Sequence, residues 1–298
     1  MKILVAEDDA TSRLVLGATL RSLGHDVTTV EDGAAALEAW RREEFGLVIS
    51  DWLMPLLDGP GLCRHVRAER RPHYTYVILL TSLEGKGNYL SGIEAGADDF
   101  ITKPLDREVL AARLSVAERI IGLHEALRIE ATRDRLTGLL NRGAILDELQ
   151  RELHRAVRED GPTATMLLDI DHFKRVNDTY GHLVGDVVLR EIARRLQLTL
   201  RPYDRVGRFG GEEFVVLITH GDAEQSALIG ERIRAAVAAE PVEVPGGQPV
   251  SVTVSIGVAI GQGSPDDADR LLAAADLALY RAKANGRDRV EVEPLAAL

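Results

Sequence analysis

Cysteine occurs once, at Cys63, so no disulfide can form within the chain and no cysteine-based zinc site can be built. It lies among apolar neighbours in Gly61-Leu62-Cys63-Arg64 and is expected to be a buried, inert thiol. No apolar run approaches the ~20 residues of a membrane helix. The opening stretch Lys2-Ile3-Leu4-Val5-Ala6-Glu7-Asp8-Asp9 meets carboxylates after four apolar residues, unlike a signal peptide. A soluble, cytoplasmic chain is expected. Positive charge is also in short supply, with 36 Lys and Arg against 47 Asp and Glu and a formal net charge of −11. That balance argues against nucleic acid and anionic membranes as partners, since both reward a basic surface.

What is present divides in two. A length of 298 residues exceeds one typical domain of roughly 100–200 residues. In the first part, Ile3–Ala6, Val27–Val30, Leu47–Ser50, Tyr76–Leu80 and Asp99–Ile101 read as strands. Amphipathic stretches such as Ser12–Leu23 and Ala34–Glu43 lie between them, which predicts a doubly wound, five-stranded parallel sheet of the α/β class. Residues 105–135 lack proline and carry apolar residues at 3-and-4 spacing, including Val109, Val116, Ile120, Leu123 and Leu127. This predicts one long connecting helix, its first half packed on the first domain and its second half available for a coiled coil. From Asp134 onward the pattern is mixed, with helices expected at Asn141–Arg158, Asp186–Thr199, Ala223–Ala239 and Asp267–Ala284. Strands are expected at Thr165–Ile170, Phe214–Thr219 and Val250–Ala259, with a hairpin tip at Gly210-Gly211. The second domain is therefore expected to be a mixed α/β fold around a largely antiparallel sheet.

Side chains that do chemistry in doubly wound sheets sit at the carboxyl ends of the strands. Glu7 and Asp8 close the first strand and Asp51 the third, so three carboxylates converge, a costly arrangement unless a hard cation such as Mg²⁺ joins them. Thr81 and Lys103 add a hydroxyl and an ammonium at the ends of the fourth and fifth strands. Such a rim can accept and stabilise a phosphoryl group.

With Glu7-Asp8, Asp51-Trp52-Leu53-Met54-Pro55, Asp58-Gly59, Thr81-Ser82 and Lys103-Pro104, residues 1–122 resemble the receiver domain of two-component response regulators. The resemblance implies a flavodoxin-like fold and phosphorylation of Asp51 by a histidine kinase or a small phosphodonor. It implies one Mg²⁺ held by Asp8, Asp51 and the Leu53 carbonyl, with Glu7 acting through water. Thr81 and Phe100 would be the switch pair, and Lys103 would contact the phosphoryl group, often beside a cis Lys103–Pro104 bond. Glu7 stands where Asp is commoner.

In the second part, Leu167-Leu168-Asp169-Ile170-Asp171 is an apolar strand ending in alternating carboxylates, with Asp169 and Asp171 on one face by strand periodicity. Arg208-Phe209-Gly210-Gly211-Glu212-Glu213-Phe214 sets two glycines before two carboxylates. If Asp169 meets Glu212 across neighbouring strands, the pair forms an acidic oxygen site for metal. Asn177 and Asp186 have the side-chain chemistry to read guanine. Lys283 and Arg287, four apart near a helix end, would share a face and grip phosphate oxygens.

Together with Asp134-Arg135-Leu136-Thr137-Gly138-Leu139-Leu140-Asn141-Arg142, these motifs make residues 133–298 similar to the diguanylate cyclase (GGDEF) domain. A nucleotidyl-cyclase or palm-like fold is implied, as is condensation of two GTP into cyclic di-GMP with release of two pyrophosphates. Asp169, the Ile170 carbonyl and Glu212 would hold two Mg²⁺, for which Mn²⁺ could substitute. Glu213 would support them, Glu212 would be the general base, and Lys174 would join Lys283 and Arg287 on the phosphates. Glu212 occupies the position of the Asp that names the family. A two-fold symmetric product implies a homodimer. Arg201-Pro202-Tyr203-Asp204 matches the family's RxxD site for product inhibition, with Arg208 and Arg232 as helpers. The reading is thus a phosphorylation-regulated cyclase. A non-catalytic cyclic di-GMP receptor and another nucleotidyl cyclase or polymerase-like palm are the competing readings.

Overall fold

The computed structural model describes residues 1–69, 71–82, 86–159, 161–261 and 268–294. The chain forms two compact units, Met1–Ile129 and Glu130–Leu298.

In the first unit the strands are β1 (Lys2–Ala6), β2 (Asp26–Val30), β3 (Leu47–Asp51), β4 (Tyr76–Thr81) and β5 (Asp99–Thr102). All pair in parallel, in the order β2-β1-β3-β4-β5. The helices are α1 (Ala10–Ser22), α2 (Gly33–Arg42), α3 (Gly59–Ala68), α4 (Lys86–Glu94) and α5 (Arg107–Thr132), whose last turn enters the second unit. Side chains alternate across the sheet. Ile3, Val5, Ile49, Ile78 and Leu80 pack with Leu16 and Leu20 of α1 and Leu110 and Leu114 of α5. Leu4, Val48, Val77 and Leu79 pack on the other face with Trp40 of α2 and Leu62, Cys63 and Val66 of α3. Asp9, Asp32 and Asp58 each accept the backbone N–H three residues on and so start α1, α2 and α3. Cys63 is buried, and burial pushes its thiol up to about 11, which makes it the inert group expected.

Helix α5 buries Leu110, Leu114 and Ala117, whereas Leu123 and Leu127 further along are exposed. His124 on the same stretch stacks on Tyr74 with ring centroids 4.0 Å apart.

The second unit contains α6 (Arg142–Glu159), β6 (Thr163–Ile170), α7 (Phe173–Tyr180), α8 (His182–Thr199), β7 (Arg205–Gly210), β8 (Glu213–Thr219), α9 (Ala223–Ala238), β9 (Val254–Gly261), α10 (Ala268–Ala284) and β10 (Val290–Pro294). Its sheet runs β10-β9-β6-β8-β7 and is antiparallel except where β10 joins β9. Met166, Leu168, Phe214 and Val216 face the core beneath α8 and α9. Leu167, Val215 and Leu217 face Ile145 and Leu149 of α6 and Leu271 and Leu279 of α10.

Several boundaries differ from the sequence expectations. Helix α8 begins at His182 rather than Asp186, and Phe173–Tyr180 forms a separate helix. Gly181 (φ 84°) divides the two, a conformation that suits glycine. Strand β9 starts at Val254 because Val250 bridges Val242 instead. Val290–Pro294, absent from the sequence expectations, is a strand paired in parallel with β9, and its Val-Glu-Val-Glu alternation carries the strand period. The expected helix start at Asp267 lies outside the described residues. Among the described residues no helix is long and apolar enough to cross a membrane.

Candidate functional site

Each unit carries one acidic site. In the first, oxygens of Glu7, Asp8 and Asp51 all lie within 4.8 Å of one another, the one such trio of potential metal ligands among the described residues. Parallel pairing of β1 with β3 makes their carboxyl ends neighbours, and both carry the acids there. Lys103 Nζ lies 2.8 Å from Glu7 Oε2 and 2.8 Å from Asp51 Oδ2, so one ammonium bridges two carboxylates. Glu7 is 1% exposed, and burial holds its carboxyl above the ordinary range against the pull of Lys103. Burial alone would lower Lys103, but its hydrogen bonds to Asp51 and Glu7 outweigh that and raise it. The Trp52 N–H donates to Asp51 Oδ1 at 2.7 Å. Thr81 ends β4, Phe100 lies in β5 with its ring 6.4 Å from that of Trp52, and the Lys103–Pro104 bond is cis. The Leu53 side chain is exposed next to Asp51. Arg13 was not foreseen; its guanidinium donates to the Glu7 and Asp8 carbonyls at 2.5 and 3.0 Å, steadying the backbone that carries both acids. All-oxygen ligands gathered this closely have the donor chemistry of a Mg²⁺ site.

In the second unit, antiparallel register sets Asp169 opposite Glu213 rather than Glu212. Glu212 lies at the hairpin tip, where the Ile170 N–H meets its carbonyl at 3.4 Å. The tip turns at Gly211 (φ 44°), after a bulge between Arg208 and Gly210 that re-aims the strand end. Arg208 donates twice to the Gly211 carbonyl, at 2.9 and 2.7 Å, and reaches Asp134 at 3.3 Å, so its guanidinium is committed to the tip. Lys283 Nζ lies 2.8 Å from Asp169 Oδ2. Burial raises the Asp169 carboxyl above its usual range; Lys283 opposes this, and the charges of Glu212 and Asp171 add to it. Burial likewise raises Glu213, with the Asp169 charge next in weight. Three mutually repelling acids relieved by one ammonium fit a hard cation.

Asp171 departs from the expected alternation because β6 ends at Ile170. Its 5%-exposed carboxylate accepts from Ser255 Oγ and Thr253 Oγ1, both at 2.7 Å, and from the Asp288 N–H. Lys283 and Arg287 do not share a helical face either. Helix α10 stops at Ala284, Gly286 (φ 113°) reverses the chain, and the Arg287 N–H returns to the Ala282 carbonyl at 2.9 Å, a Schellman ending. Asn177 lies on α7 and Asp186 on the first turns of α8. A Cβ at Gly185 would stand 2.0 Å from Asn177 Oδ1, so the absence of a side chain there is what seats Asn177. Lys174 is exposed on α7.

Arg201 and Asp204 lie between α8 and β7. Asp204 is 7% exposed; one oxygen accepts the Arg201 N–H at 3.0 Å, and the other is buried with no hydrogen-bond partner. Burial raises its carboxyl against the pull of Arg201 and Arg232. The Arg201 guanidinium turns outward to Tyr203 Oη at 2.8 Å, and Arg232 of α9 donates to the Thr199 carbonyl at 2.9 Å.

Residues 131–289 match the family profile of the diguanylate cyclase, GGDEF domain. The chain belongs to the GGDEF family. Residues 3–115 match the response regulator receiver domain, so the two sites fall in two recognised domains. The response regulator PleD of Caulobacter vibrioides is 36% identical over 252 residues, 82% of this chain and 56% of PleD. The diguanylate cyclase DgcP of Pseudomonas aeruginosa is 47% identical over 168 residues, 56% of this chain and 25% of DgcP. The chain thus spans little more than half of one of these relatives and a quarter of the other. Among solved structures, the coiled coil and GGDEF domain of DgcB from Caulobacter crescentus, in complex with c-di-GMP, is 34% identical with a TM-score of 0.57. That match covers 62% of this chain and 98% of the DgcB chain.

Proposed function

We propose that this GGDEF chain condenses two GTP into cyclic di-GMP under the control of phosphorylation at Asp51. The observation that carries the reading is the acidic pair Asp169–Glu213 at the foot of the Gly210-Gly211 tip, with Lys283 as counter-charge. Asn177 and Asp186 hold guanine by accepting from its N–H groups and donating to its carbonyl oxygen. Lys174, Lys283 and Arg287 bind the triphosphate oxygens and balance the charge that grows on the leaving pyrophosphate. Glu212 takes the proton of the ribose 3′-hydroxyl; the freed oxygen attacks the α-phosphate of the facing GTP, and the bond to pyrophosphate breaks. Mg²⁺, or Mn²⁺ in its place, would be held by Asp169, the Ile170 carbonyl and Glu212 with support from Glu213, and supplies positive charge to the phosphates. A second copy of the chain completes the reaction, because one site holds one GTP and the product is two-fold symmetric.

In the receiver, Asp8, Asp51 and the Leu53 carbonyl would hold a further Mg²⁺, with Glu7 acting through water. Asp51 accepts the phosphoryl group from a histidine kinase or a small phosphodonor. Lys103 then contacts it, and Thr81 and Phe100 respond. The exposed Leu123 and Leu127 on α5 support pairing of the connector between copies. Product binding at Arg201, Asp204 and Arg232 is supported by the two arginines whose charges both act on Asp204, which together offer guanine donors and an acceptor. Arg208 serves this site only through the tip it holds. The chain is expected in the cytoplasm, where GTP is available.

Incubation of the full chain with GTP and Mg²⁺, with and without a phosphoryl mimic, is expected to yield one cyclic di-GMP and two pyrophosphates for every two GTP consumed. GTP binding without product in either sample would refute the enzyme and leave the receptor reading.

A further inference from the structure

We propose that Asp171 is a positioning residue for nucleotide binding, holding the turn that presents Arg287. After α10, three consecutive residues have positive φ: Gly286 at 113°, Arg287 at 62° and Asp288 at 47°. Glycine accepts such angles freely; an arginine followed by an aspartate does so only when the surroundings over-determine the backbone. Asp171 provides that determination from inside the fold. Its Oδ2 accepts the Asp288 N–H at 3.1 Å, while Ser255 and Thr253 hydroxyls fix the rest of the carboxylate. The Asp171 N–H donates to the Thr253 carbonyl at 2.9 Å, so the carboxylate cannot drift from the start of β9.

The turn is pinned from outside as well. Arg234 of α9 pairs with Asp288 Oδ1 at 2.8 Å, and the Arg289 side chain donates to the Arg287 carbonyl at 3.2 Å. Asp171 follows Asp169 by two residues, and Asp169 already grips Lys283 of α10. The end of β6 therefore holds both C-terminal residues assigned to phosphate, Lys283 and Arg287. It takes Lys283 by its ammonium, and it takes Arg287 through the backbone of the next residue. A residue whose carboxylate is spent entirely on hydroxyls and a backbone N–H binds no nucleotide itself, yet it sets where the guanidinium stands. This inference rests on Arg287 being a phosphate contact.

The test uses the full chain with GTP and guanosine as probes, comparing Asp171→Asn, Arg234→Ala, Arg287→Ala and the double variant Asp171→Asn/Arg287→Ala. Asp171→Asn is expected to raise KM for GTP on the order of tenfold, with kcat and guanosine affinity little changed. Arg234→Ala, a change at a mostly covered side chain outside the hydrophobic core, should shift KM the same way by a smaller factor. The double variant should be no worse than Arg287→Ala alone, because the two act through one group. Losses that multiply in the double variant, or a fall in guanosine affinity equal to that for GTP, overturn the proposal in favour of a general fold lock. If Arg287→Ala leaves GTP affinity unchanged, the phosphate role itself falls. If it weakens GTP while Asp171→Asn and Arg234→Ala do not, that role stands and only the positioning by Asp171 fails.

Discussion

The receiver pocket and the cyclase site both answer clustered acids with a lysine, yet they are assembled in opposite ways. In the receiver every acid comes from the carboxyl end of a parallel strand, so adjacency follows from strand order alone. Lys103 then bridges two of them at 2.8 Å each. In the cyclase the acids come from one strand end and one hairpin tip, so adjacency depends on antiparallel register and on a bulge. A third acid, Asp171, which looks equivalent in sequence, is diverted into holding a turn. Parallel architecture thus places the acids by the shared direction of neighbouring strands. The antiparallel site depends on each residue of the tip and its supports.

The largest effect should come from removing the one acid that both opposes Glu213 and binds Lys283. Asp169→Asn is expected to lower GTP turnover on the order of 100-fold or more, as loss of a preorganised charge in a reacting site does. Pyrophosphate release measures this, and phosphoryl uptake at Asp51 should be unaffected. Equal damage to both sites would end the view that they are separately built. Conversely, Asp51→Asn should abolish the added phosphoryl mass seen on the intact protein after exposure to a small phosphodonor; retained mass would move the acceptor elsewhere.

A subtler break targets the tolerance of the cyclase site. Gly185→Ala drives a Cβ to 2.0 Å from Asn177 Oδ1 and should raise KM for GTP on the order of tenfold while narrowing the preference for GTP over ATP. An unchanged preference would show that Asn177 does not read the base. Gly185 directly precedes Asp186, but nothing in a linear string shows that its missing side chain makes room for a residue eight positions earlier on another helix. Arg13 carried no signal at all, because its partners are backbone carbonyls, which every residue has.

Acid should separate the two regions further. Hydrogen bonds from Arg194 and Arg195 hold Glu191 at about 2, well below its ordinary 4.5. Its contribution to stability is therefore complete above about pH 4.5 and is lost as pH falls toward about 2. The stability difference between the native chain and Glu191→Gln, followed by thermal unfolding, should shrink across that window; a constant difference would remove the linkage. Glu7 in the receiver is raised, so its effect has the opposite sign, favouring the fold below its unfolded value and fading as pH rises through the folded one. The smallest expected effect is at Cys63, whose buried thiol near 11 should resist alkylation at pH 8 in the native state and react readily once urea unfolds the chain.

The linear order of residues by itself determined the class of both folds, since alternation and helical spacing are local properties that packing rarely overrides. It also supplied the residue types that both sites are built from, carboxylates, lysines and glycines at set spacings. Only the tertiary structure decided which carboxylates face one another, where α10 ends, that Asp171 supports a turn, and that Arg208 holds the hairpin tip. Those outcomes depend on register, on a Schellman reversal at Gly286 and on hydrogen bonds spanning up to 117 positions along the chain. Such partners are chosen by the folded backbone, whose position no local pattern encodes.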